Sequence, residues 1–172
     1  MGWDTIEALL FDLGKLVFVA YFLLFVLSVF VERKVSSLVI SLMVLAVANG
    51  AMTALTPLLY ELASMPGLFY KFLWYGVFVF IDCIAIFLLY KFHNLLRQSV
   101  SSIASIIAVA FLALASIQTL RFFDRFVSNT EVFQLVYQYG VPMINIMLVP
   151  LIAIFWAVNL KSANKNVQAA PG

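Results

Sequence analysis

The sequence predicts an all-α protein, a polytopic bundle of about five transmembrane helices joined by short loops. Apolar residues recur in five long blocks, at 13–31, 35–59, 68–90, 100–120 and 132–160. A helix that crosses the bilayer core needs roughly 20 mostly apolar residues, and each block is near or above that length. Hydrophobic residues make up 65% of the chain and charged residues only 10%, whereas soluble domains carry about 25% charged residues.

Each predicted helix has recognisable ends. The first ends at the charged run 32–34, and the second is expected to stop near Thr56, because Pro57 follows and residues 64–67 form a turn signal. Polar linkers at 91–99 and 121–131 bound the fourth helix. We expect residues 1–161 to form a single bundle domain, followed by a disordered polar tail at 162–172.

The distribution of basic residues predicts the orientation. Six lie on the side that holds the first loop, the third loop and the C-terminus, and four lie on the other side. By the positive-inside rule this places the C-terminus in the cytoplasm and the N-terminus outside, with the inner membrane of a prokaryote as the expected location. The six are Arg33, Lys34, Lys91, Arg97, Lys161 and Lys165, and the four are Lys15, Lys71, Arg121 and Arg125.

Several function classes are excluded or disfavoured. The chain has one cysteine, Cys83, and one histidine, His93, so it cannot form an internal disulfide, a CxxC pair or a bis-histidine haem site. It contains no HExxH, GxSxG, P-loop or GxGxxG motif, so we expect no catalytic residues, metal site or cofactor. The basic residues are scattered along the sequence and predict no continuous basic face that could bind nucleic acid. We expect Cys83 to be an apolar filler and His93 to be solvated in its linker.

Asp82 needs an explanation, because it lies near the middle of the third predicted span. An aspartate there costs on the order of 2.5–3.5 kcal/mol on insertion scales, and such residues usually face the interior of a bundle. The favoured interpretation is an interhelical hydrogen bond that holds the bundle together. The alternative is a site for a proton or a cation.

Polar residues on the second and fifth helices predict a cluster near Asp82. The fifth helix carries Gln138 and Asn145 in a heptad seam, together with two prolines that free backbone carbonyls. Asn49 and Thr53 lie on one face of the second helix. These side chains either line a polar route or act as hydrogen-bonding contacts between packed helices.

Small residues on two helices predict close packing. Ala46, Gly50 and Ala54 form one stripe, and the fourth helix carries a second stripe consisting of Ser101, Ser105, Ala108, Leu112, Ala115 and Thr119.

Charged and aromatic residues alternate after the fourth block. We predict that Arg121 pairs with Asp124 and that these two residues and Arg125 anchor the chain at the outer membrane interface.

Two functions remain open. The first hypothesis is a non-enzymatic accessory or sensory subunit that acts through helix contacts with itself or with a membrane-protein partner, in the lipid bilayer. The second is a small homo-oligomeric channel or transporter for protons, cations or a small polar solute, with a polar route near Asp82. The position of water relative to Asp82 discriminates between the two.

Overall fold

A computed structural model describes the backbone of residues 3–168 and the side chains of residues 12–161. All its regular elements are helices, and all five are long and apolar enough to span a membrane, as predicted. They are α1 (Trp3–Glu32), α2 (Ser37–Ser64), α3 (Leu68–Leu95), α4 (Ser102–Phe126) and α5 (Gln134–Gln168). The protein is therefore a small multi-pass membrane protein.

The helices form a ring in chain order. Each packs against the next, α5 returns to contact α1, and α2 also contacts α4 across the ring. Within the ring no Cα atoms of α5 approach those of α2 or α3 closely. We call the end that holds the loops 65–67 and 127–133 the open end, and the end that holds the loops 33–36 and 96–101 the closed end.

An apolar core fills the half of the bundle next to the closed end. Its most buried members come from α2, α4 and α5, and Tyr21 of α1 is fully buried with them. The Tyr21 hydroxyl donates to the backbone carbonyl of Asn145 at 2.6 Å, which ties α1 to α5. The core includes Leu42, Leu45, Ile103, Ile107, Phe111, Leu148 and Ile152.

Several predicted helix ends were wrong. α3 runs to Leu95 and α4 to Phe126, so both extend into the predicted linkers at 91–99 and 121–131. α2 continues through Pro57 to Ser64 rather than stopping at Thr56. A proline inside a membrane helix removes one backbone hydrogen bond without ending the helix, because the neighbouring packing holds it in place. α5 runs to Gln168, so the polar segment predicted to be disordered begins as a continuation of this helix. The side chains of residues 162–172 and the backbone of 169–172 lie outside the described residues.

The small stripe on α4 does not form the main packing face. Ser105, Leu112 and Thr119 are exposed, while Ile107 and Leu114 are buried. Large apolar side chains fill the core, whereas the hydroxyls of Ser105 and Thr119 donate to backbone carbonyls four residues earlier in α4. A hydroxyl paired in this way needs no partner from another helix.

His93 is not solvated, contrary to expectation. It is 3% exposed, and its Nδ1 donates to the carbonyl of Leu89 at 2.7 Å. Its Nε2 lies 2.7 Å from the hydroxyl of Ser37, which also accepts from the backbone N–H of Ser101 at 3.0 Å. His93 therefore joins α2, α3 and α4 at the closed end.

Gly50 makes the close approach that the sequence predicts for α2. A Cβ at this position would lie 2.8 Å from the Phe18 ring of α1, whereas a Cβ at Gly14 would meet nothing within 4 Å. Ala46 of the same stripe is buried, but Ala54 is exposed. The α1–α2 contact thus depends on one residue of the stripe more than on its full length.

Gly50→Ala is expected to lower the free energy of unfolding by about 1–3 kcal/mol, because the methyl group would force Phe18 to move. Gly14→Ala is the matched control, and it should leave stability unchanged or raise it by up to about 1 kcal/mol, since alanine favours the helix more than glycine does. Thermal unfolding in detergent measures both. Equal melting temperatures for the two variants would contradict the close contact.

Candidate functional site

A cavity of about 770 Å³ lies inside the ring at the open end. All five helices contribute to it, and the lining comes from the first half of α1, α3 and α5 and from the second half of α2 and α4. At the closed end, by contrast, α2 and the start of α4 are joined by hydrogen bonds between Ser37 and Ser101. Its polar lining consists of Lys15, Asn49, Thr53, Thr56, Tyr60, Ser64, Lys71, Trp74, Tyr75, Gln118, Arg121, Arg125, Glu131, Gln134, Tyr137, Gln138 and Asn145.

The lining residues recur at helical spacing. On α3 they are Lys71, Trp74, Tyr75 and Phe78, which lie three, four and seven residues after the first. The lining residues of α2, α4 and α5 follow the same period. Each of α2, α3, α4 and α5 therefore turns a stripe with polar or aromatic residues toward the cavity, whereas α1 contributes Leu13, Gly14, Lys15 and Val17.

Two asparagines lie at the deep end of the cavity. The Asn49 amide of α2 donates to the side-chain oxygen of Asn145 on α5 at 3.5 Å, a long and weak hydrogen bond. The Asn145 amide also donates to the carbonyl of Val141 at 3.0 Å. Pro142 has no N–H to offer the carbonyl of Gln138, so this oxygen stays available beside the cavity.

Gln118 of α4 is a buried lining residue whose side-chain oxygen is unsatisfied, and it lies nearer the mouth than Asn49. It is 5% exposed, it lines the cavity, and its Oε1 accepts no hydrogen bond from residues 12–161. A buried amide oxygen without a donor costs about 1–3 kcal/mol. Gln118 is therefore placed to accept a hydrogen bond from a molecule inside the cavity.

Aromatic side chains surround the mouth. The Trp74 indole donates to the Tyr137 hydroxyl at 3.0 Å, so α3 and α5 meet across the cavity through side chains alone. Tyr75 is buried, and its ring centroid lies 5.6 Å from that of Tyr137 and 6.2 Å from that of Phe126. These flat surfaces form one wall of the cavity.

A buried ion-pair network closes one side of the mouth. Arg121 donates to Asp124 at 3.0 Å and also to Glu131, so the predicted Arg121–Asp124 pair is confirmed. The side chains of Arg121 and Asp124 are only 4% and 3% exposed. Asp124 also accepts from the Thr130 hydroxyl and from two backbone N–H groups at the start of α5. The pair fastens the 127–133 loop to α4, and the role of these residues as an anchor at the membrane interface stays a prediction.

Two cations at the rim have no acidic partner among residues 12–161. Arg125 is exposed and lies over the Phe126 ring, 5.4 Å from its centroid. Lys71 donates to the carbonyl of Ala63, which uses one of its three protons. Lys15 differs, because it pairs with Asp12 at 3.2 Å and both side chains are exposed. Lys71 and Arg125 are therefore two cations at the mouth that no described carboxylate pairs with, although the open end also carries the exposed carboxylate of Glu61.

Asp82 lies at the middle of α3 and is fully buried, as the sequence predicts. The predicted interhelical hydrogen bond was wrong, because neither carboxylate oxygen has a partner among the described side chains. The α2–α3 register places His93 opposite Ser37 and Trp74 beside Tyr60, so Asp82 lies at about the depth of Asn49. It does not belong to the lining.

The predicted polar cluster is thus brought together in part. Asn49, Thr53, Gln138 and Asn145 line one cavity, whereas Asp82 is buried beside it. The Thr53 hydroxyl donates to the carbonyl of Asn49 within α2 at 2.8 Å rather than to another helix. Cys83 faces outward.

Gln118 was not predicted from the sequence, and Lys71 and Trp74 were not predicted to belong to a site. Gln118, Arg121 and Arg125 lie at positions i, i+3 and i+7 of α4, a spacing that places them on one helix face. This spacing is the signal that could have found Gln118.

Groups of three or more potential metal ligands are not found in the part of the chain that the structure describes. Among the described lining residues one side chain is acidic, that of Glu131, and it is engaged with Arg121. The arrangement is suited to holding an uncharged or anionic solute through amides, hydroxyls and cations. No known protein family, curated protein or solved structure matches this chain.

Proposed function

We propose that this membrane protein binds a small molecule in its cavity and acts, without catalysis, as a sensory or accessory subunit. The observation that carries the proposal is the cavity itself. Binding sites for small molecules are commonly clefts of about 300–1,000 Å³ with a few convergent polar groups in an apolar or aromatic wall. The cavity matches this description in size, in its deep amides and in its aromatic mouth.

The closed end favours binding over conduction. Below Asn49 and Asn145 the bundle is filled by side chains such as Leu45, Ile107 and Ile152, which are 2% exposed or less. A water-filled pore needs a polar route through this half, and the core leaves none among residues 12–161. A solute that enters from the open end therefore stops at the amides.

The absence of catalysis is part of the proposal. The one serine–histidine contact, between Ser37 and His93, lies at the closed end outside the cavity lining. His93 is held there by the carbonyl of Leu89, so the contact has the character of a structural joint.

Orientation and partners complete the proposal. The six-to-four distribution of basic residues supports a location in a prokaryotic inner membrane with the C-terminus in the cytoplasm. The cavity would then open outward. The exposed face of α4 carries small side chains, which would let a helix of a second copy or of another membrane protein pack closely against it. These residues are Ser105, Ser116 and Thr119.

Asp82 favours a second candidate, a transporter for protons, cations or a small polar solute. A buried carboxyl group without a protein partner is expensive inside a membrane and is typical of proton and ion pathways. Such a transporter would have its cavity open to one side here and would need a rearrangement of the closed end.

Filling the cavity tests the proposed function. In Thr53→Phe the phenylalanine ring should occupy part of the cavity and abolish ligand binding, while α2 stays helical. The measurement is the shift in melting temperature of the purified protein with a broad panel of neutral, cationic and anionic small molecules. We expect some compounds to stabilise the parent protein and not Thr53→Phe.

Val47→Phe is the matched control, because it makes a similar change on α2 at a side chain that is 64% exposed. It should respond to the same compounds as the parent protein. If no compound distinguishes Thr53→Phe from Val47→Phe, the cavity is not a binding site.

A further inference from the structure

We propose that the ligand is a soluble, planar aromatic acid whose far end carries a hydrogen-bond donor. Its carboxylate would lie at the rim between Arg125 and Lys71, its ring against the aromatic wall, and its donor at Oε1 of Gln118. This assignment rests on the proposed function and names the ligand class for the same cavity.

The rim selects for negative charge. Lys71 and Arg125 have no acidic partner among residues 12–161, and Glu131 is already engaged with Arg121. A guanidinium group binds a carboxylate through paired N–H donors, so an anion between Lys71 and Arg125 would pair with both cations. A cationic ligand would meet repulsion at the same place.

The interior of the cavity selects for a donor at Gln118. The Oε1 of Gln118 is buried without a hydrogen-bond partner among the described residues, so it can accept but has nothing to accept from. A hydroxyl or N–H group on the ligand would satisfy it. A ligand whose deep end is purely apolar would leave the oxygen unsatisfied, and a site of this kind discriminates strongly against such analogues.

The wall and the spacing select for shape. Trp74, Tyr75 and Phe126 offer flat faces and edges between the rim and Gln118, and aromatic rings pack favourably against one another in offset or edge-to-face geometry. Gln118 and Arg125 lie seven residues apart on α4, which corresponds to about 10.5 Å along the helix axis. A single ring with a short acid chain on one side and a hydroxyl on the other spans a comparable length.

The test compares three related compounds by isothermal titration calorimetry, with the full-length protein in phosphatidylcholine nanodiscs. They are 3-(4-hydroxyphenyl)propanoate, its methyl ester and 3-phenylpropanoate. We expect the hydroxy acid to bind the parent protein saturably. The ester and the compound without the hydroxyl should each bind the parent protein about tenfold or more weakly, and the hydroxy acid should bind Arg125→Gln about tenfold or more weakly. In Gln118→Leu the preference for the hydroxyl should disappear.

The controls remove matching groups at the closed end. Lys91→Gln changes net charge as Arg125→Gln does, and Gln98→Leu matches Gln118→Leu. Both sites are exposed, so both variants should bind as the parent protein does.

Three results would overturn the assignment. Equal affinity for acid and ester would contradict recognition of a negative charge. Failure of all three compounds to bind would contradict the proposed ligand class. Loss of acid binding when phosphatidylglycerol is added to the nanodiscs, with the lipid competing through Arg125, would make the rim a lipid-headgroup site. The Thr53→Phe comparison decides separately whether the cavity binds small molecules at all.

Discussion

Asp124→Ala is expected to lower the free energy of unfolding by about 3–5 kcal/mol, the range for breaking a buried ion pair from one side. The change leaves Arg121 with Glu131 as its one acidic partner among the described side chains and removes the carboxylate acceptor of the Thr130 hydroxyl. It also strips two backbone N–H groups at the start of α5 of their acceptor. Unfolding in mixed micelles with increasing SDS, followed by tryptophan fluorescence, measures the loss.

Asp12→Ala is the control, since the Asp12–Lys15 pair has the same i, i+3 spacing but side chains that are 76% and 66% exposed. Exposed pairs contribute about 0–1 kcal/mol, so this variant should unfold close to the parent protein. The double variant Arg121→Met/Asp124→Leu should recover part of the lost stability, because it removes both buried charges together. Equal losses in Asp12→Ala and Asp124→Ala would contradict the burial of the network.

The number and type of helices could be predicted because each depends on a local property of the chain. A run of about 20 apolar residues has few alternatives in a bilayer, where backbone groups must be paired within the segment. The end of α2 could not be predicted in the same way. Pro57 ends many soluble helices, but in a bundle its missing hydrogen bond is offset by packing along the whole helix.

It was harder to predict which face of each helix turns toward the interior of the bundle, because composition does not distinguish an apolar residue that faces lipid from one in the core. The α4 stripe shows this limit. Serines and threonines were expected inside, yet Ser105 and Thr119 pair with their own backbone and face outward. His93 shows the opposite case. It was expected in a solvated linker, but it lies buried in α3, where its ring contacts the hydroxyl of Ser37, a residue far away in sequence.

The sequence predicts a few of the polar lining residues, but it does not predict the cavity. Asn49 and Asn145 were expected to meet, and they do. The volume between them depends on how far five helices diverge at the open end, and no single segment encodes that divergence. The loose contact of α5 with α2 and α3 arises only when the ring closes.

Asp82→Leu is expected to raise the melting temperature, in contrast with most substitutions at buried positions. Leucine branches at the same atom as aspartate and carries two methyl groups where the carboxylate carries two oxygens, so the shape is largely kept. Neither oxygen has a hydrogen-bond partner among residues 12–161, so no donor loses its acceptor in this variant. The change also removes a polar group whose burial costs about 1–3 kcal/mol. Asn49→Leu is the contrasting variant, and it should lower stability because it leaves Asn145 without its partner.

Substitution of Asp82 also separates the two candidate functions. A residue that destabilises the fold and pairs with no described side chain is retained most simply if it carries a proton or a cation, which is the transport candidate. In reconstituted vesicles the sensory protein should show no proton or cation flux, either in the parent form or as the Asp82→Leu variant, and Asp82→Asn should bind the same cavity ligands as the parent protein. Flux in the parent protein that vanishes in a stably folded Asp82→Asn variant would overturn the sensory proposal, because an amide keeps the shape but can neither titrate nor bring a negative charge to an ion.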